Sequence, residues 1–334
     1  MNRKKIRNIA VMDTSILSFN VGDHIIMESA RKGLGPILEN AFVVNMPTHS
    51  PLFHQYEFSL RNIDSFRQAL NSIDLKFVCG TNLLEKNMKK RKNSWNLHTS
   101  DLKYFNDFVL VGVGTDGLEK VENDYTVKFY QKALSHDYIH STRDEKTKEF
   151  LESLGLKALN TGCVTLWPLT KEHCSQIPIK KADTVVFTIT DYKPDIEKDR
   201  YLINELLNSY DTVYCWLQGI MDSAYLDSLK IENLNNKVHF ITPTLAAYNE
   251  FLETHDCDYV GTRLHAGIKA IQKKRRSIII GVDNRARDIH ETYGIPLLER
   301  TELEHLTDVI QSDLKTDIRI NEDRIKLFLS QFEV

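Results

Sequence analysis

Four short segments of the chain combine side chains that bind anions or move protons. The sharpest is Gly261-Thr262-Arg263-Leu264-His265-Ala266-Gly267, which follows the short apolar run Cys257 to Val260. Small residues there let a ligand approach the backbone, and the free N–H groups of a helix start favour an anion. Arg263 adds a fixed positive charge, and His265 adds a titratable donor on the same turn. Leu264 and Ile268, four residues apart, direct the other side of that helix into a core. A buried structural histidine is the alternative for His265, but the local physics favours an anion site.

The second segment, Ser18-Phe19-Asn20-Val21-Gly22-Asp23-His24, lies between a first strand and its helix. Asn20 and Gly22 suit a tight turn, and Asp23 stands where a helix N-cap is wanted. The same loop offers N–H groups, a carboxylate and an imidazole, enough to orient an acceptor hydroxyl or take its proton. Plain cap and general base both remain open for Asp23. The third segment, Ser141-Thr142-Arg143-Asp144-Glu145, runs from a strand end into a helix. Arg143 is either neutralised by the carboxylates beside it or free to grip a carboxylate or phosphate bidentately. The fourth, Gly281-Val282-Asp283-Asn284-Arg285, directly follows a strand. Turn chemistry accounts for Asp283 and Asn284, and Arg285 is a further binding candidate.

Such segments need a scaffold that gathers strand ends. Short apolar runs alternate with amphipathic segments along the chain, the pattern of an α/β fold with mostly parallel sheets. Strands are expected at Ile6 to Met12, Ala41 to Met46, Leu75 to Cys79, Phe108 to Val113 and Asp137 to Ser141. Helices are expected around Ile25 to Leu38, Phe66 to Ile73 and Lys146 to Leu154. Glycines (Gly80, Gly112, Gly114, Gly117, Gly155) punctuate the strand and helix ends. Pro168, Pro178 and a lysine cluster interrupt the pattern. The alternation then restarts with strands at Thr184 to Thr188, Thr212 to Leu217, Val238 to Ile241 and Ser277 to Gly281. Two Rossmann-like halves are therefore expected, residues 1–172 and 180–334. The last helix is expected to pack back on the first half, and a ligand cleft is expected between the two.

Composition narrows the function. The 334 residues carry 43 Lys plus Arg against 46 Asp plus Glu, a formal net charge of −3 that supplies no global field for nucleic acid. No apolar run reaches the roughly 18 residues of a membrane-spanning helix. The basic run Lys86 to Lys92 reads as a solvated loop, or as a patch facing an anionic acceptor or a membrane surface. Five cysteines without a C-x-x-C pair point to reduced thiols in a cytosol. His136 and His140 are spaced H-x-x-x-H beside an expected strand, where they give no helical zinc face, and H-E-x-x-H does not occur. No metal site is expected.

Taken in order, Phe19-Asn20-Val21-Gly22-Asp23, Thr142-Arg143-Asp144, Gly261-Thr262-Arg263-Leu264-His265-Ala266 and Val282-Asp283-Asn284-Arg285 resemble the polysaccharide pyruvyl transferase family. The resemblance spans about residue 15 to about residue 300. It implies a GT-B-like fold and transfer of the pyruvyl group of phosphoenolpyruvate onto sugar hydroxyls of a bacterial surface polysaccharide or its precursor, with a ketal formed and phosphate released. It implies donor contacts by Arg143, Arg263, Leu264 and His265; Thr262 and Arg285, the last standing where a lysine is usual, are further donor candidates. Acceptor contacts would come from Asn20, Gly22, Asp23 and His24. His265, Arg263 and Asp23 are the expected catalytic groups, and no cofactor is expected beyond phosphoenolpyruvate as co-substrate. The acceptor sugar is left open as lipid-linked or nucleotide-linked. The place of action is expected to be the cytoplasm, including the inner face of the membrane. Two other readings stand beside this one: a GT-B-type glycosyltransferase or sugar-nucleotide enzyme, and a non-catalytic glycan-binding protein of the same fold.

Overall fold

A computed structural model describes residues 6–52, 68–90, 95–115 and 121–333. Phe66 and Arg67 of an expected helix, Gly117, and Arg91 and Lys92 of the basic run lie outside the described residues. The chain divides into two compact units. One holds Met1–Ser18, Ile26–Trp167 and Asn321–Val334, and the other Phe19–Ile25 and Pro168–Ile320.

In the first unit, β1 (Arg7–Asp13), β2 (Ala41–Pro47), β3 (Leu75–Cys79) and β5 (Val109–Val111) form a parallel sheet in the order β2-β1-β3-β5. Central β1 pairs Val11 with Asn45 on one side and with Phe77 on the other. Ile9 to Met12 are fully buried. An unbroken apolar run suits a strand covered on both faces, where alternation would expose nothing useful. Two short parallel pairs extend the unit: β4 (Asn82–Leu84) with β6 (Gly114–Thr115), and β7 (His140–Thr142) with β8 (Ala158–Asn160). A single bridge, Val113 to Thr142, ties β7 to the segment after β5.

The strand expected from Asp137 is thus confined to His140–Thr142. His140 is fully buried there, its Nδ1 accepting from Leu110 N (3.2 Å) and its Nε2 donating to Ser135 O (2.9 Å). Burial pulls its pKa down to about 4. His136 Nε2 is turned to Gln131 O at 2.8 Å, so the H-x-x-x-H pair is spent on carbonyls. Edge-to-face rings fill the adjacent core: Trp95 on Phe108 (5.4 Å), Phe129 on Tyr130 (5.5 Å) and Tyr130 on Phe150 (5.5 Å). The helix Glu322–Ser330 belongs to this unit. Phe328 lies against Trp167, Phe332 against Phe77, and Gln331 exchanges two hydrogen bonds with the Ile139 backbone.

The second unit is built on one six-stranded parallel sheet. Its strands are β9 (Thr184–Thr188), β10 (Thr212–Trp216), β11 (Val238–Ile241), β12 (Asp258–Gly261), β13 (Ser277–Gly281) and β14 (Leu297–Glu299), in the order β11-β10-β9-β12-β13-β14. The order reverses between β9 and β12, the Rossmann switch point whose carboxyl-end crevice receives ligands. Buried Arg276 fastens the far side: its Nη1 meets Asp258 Oδ2 at 2.6 Å and its Nη2 donates to the Val309, Ile310 and Ser312 carbonyls.

Among the described residues, no helix is long and apolar enough to cross a membrane, and no His, Cys, Asp and Glu group is arranged to hold a metal ion. All five cysteines are buried free thiols. Of the basic run, Lys86 pairs with Glu122 at 3.0 Å and Lys89 lies over the Tyr125 ring.

Candidate functional site at the strand ends of the second unit

The Gly261–Gly267 segment sits at the switch point. Gly261 ends β12 beside Thr188, and a Cβ on it would come within 2.7 Å of the Thr188 backbone N and O, so the two strand ends touch through a bare glycine. Thr262 N donates to Thr188 O (3.1 Å), and Arg263 N to Thr188 Oγ1 (3.3 Å). The helix Leu264–Gln272 starts immediately after, with Leu264 and His265 both buried. The backbone of the helix start is thereby fixed at the strand ends.

Arg263 is only 4% exposed, and carboxylates hold it. Its Nη2 donates to Asp191 Oδ1 at 2.7 Å and forms a short contact with Asp222 Oδ1; its Nε reaches Asp222 Oδ2 (3.2 Å) and Ile189 O (3.1 Å). The guanidinium lies 5.1 Å from the centre of the Tyr192 ring. Asp222, fully buried, also accepts from Gly219 N (2.7 Å) and Gln218 N (3.2 Å). Burial raises its pKa, against the pull of Arg263.

Arg285 occupies the neighbouring strand end. Asp283 caps the helix Asn284–Tyr293 through Ala286 N (3.0 Å) and meets Arg285 Nη2 at 3.3 Å. The Tyr192 hydroxyl donates to Asp283 Oδ2 (3.0 Å) and accepts from Arg285 Nη2 (3.3 Å). One tyrosine therefore touches both arginines, one with its ring and the other with its hydroxyl. Burial alone would lower the Arg285 pKa, but the charges of Asp283, Tyr192 and Asp23 raise it. Its Nε is buried with no partner among the described residues, as are Gln218 Oε1 and Thr190 Oγ1 at the same strand ends. The three residues follow β13, β10 and β9, at the carboxyl ends of the second unit's strands.

Asn20 to Asp23 join this unit through backbone pairing. Asn20 bridges Gly219, Val21 N donates to Gln218 O (2.9 Å), and Ile220 N donates to Phe19 O (3.0 Å). Asn20 Oδ1 takes both Gly22 N (2.9 Å) and Gln218 Nε2 (2.8 Å). This corrects the reading of Asp23 as the helix cap. The helix Val21–Gly33 starts two residues earlier, Asn20 closes its entry, and Asp23 is buried in its first turn. His24, next along the helix, faces solvent.

Arg143 is described within the first unit alone. It follows β7, is 7% exposed, and its Nε meets Asp144 Oδ2 at 3.4 Å while Asp144 Oδ1 caps the helix Glu145–Ser153. Glu145 turns instead to Lys148 (2.9 Å), so one of the two flanking carboxylates neutralises Arg143, and at long range.

Residues 20–284 match the Polysaccharide pyruvyl transferase family, most of the chain. The chain belongs to that family. No curated protein matches it in sequence. Among solved structures, a Listeria monocytogenes putative UDP-N-acetylglucosamine 2-epimerase is similar at TM-score 0.55 and 12% identity, over 98% of this chain and 95% of that one. The Methanocaldococcus jannaschii UDP-GlcNAc 2-epimerase, solved with UDP-GlcNAc and UDP, gives 0.53 and 13%, over 98% and 99%. S. aureus MnaA, in a co-structure with UDP, gives 0.51 and 12%, over 97% and 94%. At such identities the likeness shows the fold alone, the GT-B-type α/β fold with Rossmann-like units.

Within this family member, the structure groups Arg263, Arg285, Asp23, Asn20 and Gly22 around residues that sequence reading passed over: Asp191, Tyr192, Gln218, Gly219 and Asp222. A signal was present. Each follows an apolar strand within a few residues, where parallel α/β sheets carry their ligand contacts.

Proposed function

We propose that the protein moves the pyruvyl group of phosphoenolpyruvate onto two hydroxyls of a sugar in a bacterial surface polysaccharide or its precursor. The family match over residues 20–284 is what supports this reading, because it takes in the Asn20 loop, Arg143 and the Gly261–Ala266 segment together. One sugar oxygen bonds to the central carbon of the donor while the methylene carbon gains a proton. The second sugar oxygen then bonds to the same carbon as the carbon–oxygen bond to phosphate breaks. Of the two hydroxyl protons, one balances the new methyl group and one leaves with phosphate, so the reaction as written needs no cofactor.

Arg263 and Arg285 are our candidates for the donor's carboxylate and phosphate, through charge-assisted bonds beside the helix start at Leu264. Arg143 is assigned to the donor on the resemblance, and Thr262 as a neighbour of Arg263 in the same segment. His265 protonates the methylene carbon or holds the phosphate. Asp23 orients or deprotonates the acceptor hydroxyl, with Asn20 and Gly22 shaping its loop and His24 behind it. We place the reaction in the cytoplasm.

Thermal unfolding with phosphoenolpyruvate and, separately, with a UDP-sugar tests the reading on wild type and Arg263→Ala. Ligand at 100 times its Kd adds about 2.7 kcal/mol, visible as a raised midpoint. A rise with phosphoenolpyruvate that Arg263→Ala abolishes is expected. A rise with the UDP-sugar alone would move the weight to a sugar-nucleotide enzyme, and full phosphoenolpyruvate affinity in Arg263→Ala would overturn the donor assignment.

A further inference from the structure

The two candidate donor cations of the second unit are outnumbered by carboxylates. Arg263 carries Asp191 and Asp222, Arg285 carries Asp283, and Asp23 lies close enough to act on Arg285. Two guanidiniums thus face four carboxylates. A donor with both a carboxylate and a phosphate meets repulsion from that set, and the Nε and Nη2 that would form one bidentate edge of Arg263 are already taken.

The four carboxylates are not equally held. Asp222 is buried and takes backbone N–H groups from Gly219 and Gln218 on one oxygen and from Asp191 (3.3 Å) on the other. Asp283 is a helix cap that also accepts from Tyr192. Asp23 is buried in a helix turn. Asp191 differs from all three. It stands on the turn after β9 with its side chain 30% exposed, and the 2.7 Å bond to Arg263 ties its carboxylate down. Moving Asp191 into water also relieves its like-charge contact with Asp222. The Tyr192 ring and Asp222 would keep the guanidinium in place after it leaves.

We infer that the Asp191 carboxylate occupies the seat on Arg263 that an anionic group of the donor takes, and so sets donor affinity by competing for that guanidinium. The inference rests on the phosphoenolpyruvate reading above. Binding is weakened by the fraction of molecules in which the seat is filled from within, and Asp191→Asn removes that competition while keeping size and shape. Phosphoenolpyruvate should then bind roughly tenfold tighter. Asp222→Asn should do the reverse, because Asp222 anchors Arg263 to the Gln218–Gly219 backbone. Opposite signs from two isosteric changes on one guanidinium are not what general loss of structure produces.

Calorimetric titration of phosphoenolpyruvate into wild type, Asp191→Asn and Asp222→Asn decides it, with ligand-free melting to check folding. Asp191→Ser serves as the second variant should the asparagine lower the ligand-free midpoint. Tighter binding in the Asp191 variant with weaker binding in the Asp222 variant supports the inference. Unchanged or weaker binding in the Asp191 variants, with wild type binding normally, overturns it and leaves the pyruvyl-transfer reading standing. Absence of binding to wild type overturns both.

Discussion

Arg263 and Arg143 each rest against a glycine. A Cβ on Gly114 would come within 2.6 Å of Arg143 Cζ, and one on Gly219 would overlap Arg263 Nη2 and crowd Asp222 Oδ1. Gly114 and Gly219 have no left-handed backbone to preserve, so the small side is there for the guanidinium. Gly219→Ala is therefore expected to push Arg263 off Asp222. Phosphoenolpyruvate affinity should fall on the order of tenfold, and the ligand-free midpoint should fall as well, because the fully buried Asp222 carboxylate loses its arginine. Titration and melting on the same preparation check both halves. The motif around Arg263 was legible because its residues are neighbours in sequence. Its carboxylates were not, since Asp191 and Asp222 lie 72 and 41 residues away and only the β9-β12 switch brings them in.

Strands of four or five residues, mostly apolar, were legible in the sequence. Leu75–Cys79, Thr184–Thr188, Val238–Ile241 and Ser277–Gly281 begin and end where their apolar runs do. The two- and three-residue strands β4 and β6 carry no period to detect, and β7 owes its place to a histidine. His140 joins β7 to β5 as a neutral acceptor for Leu110 N, with a pKa of about 4 against about 6.5 unfolded. The unfolded chain binds the extra proton first, so this contribution is complete above about pH 6.5 and disappears as pH falls towards 4. Between pH 7 and pH 5 the first unit should lose about 2 kcal/mol from this residue. Denaturant midpoints at the two pH values, for wild type and His140→Gln, should show a steeper fall in wild type. Parallel slopes would deny His140 that role.

At the scale of the whole molecule, the first unit is closed by the last segment of the chain. Phe328 is fully buried against Trp167 and Phe332, and Phe332 meets Phe77 at 4.9 Å. Phe328→Ala should cost the first unit about 3–5 kcal/mol, the range for a large aromatic lost from a packed core. A scanning calorimeter should show its transition lowered, with the second unit's transition unmoved; a joint shift would mean the two melt together. The same closure sets an order of events during synthesis. Residues 168–320 must leave the ribosome before Asn321 does, roughly eight to thirty seconds at about 5–20 residues per second. Throughout that interval the faces of Phe77 and Trp167 that Phe332 and Phe328 cover stand bare, while the six strands of the second unit emerge one after another. The nascent unit most in need of a chaperone is therefore the one translated first.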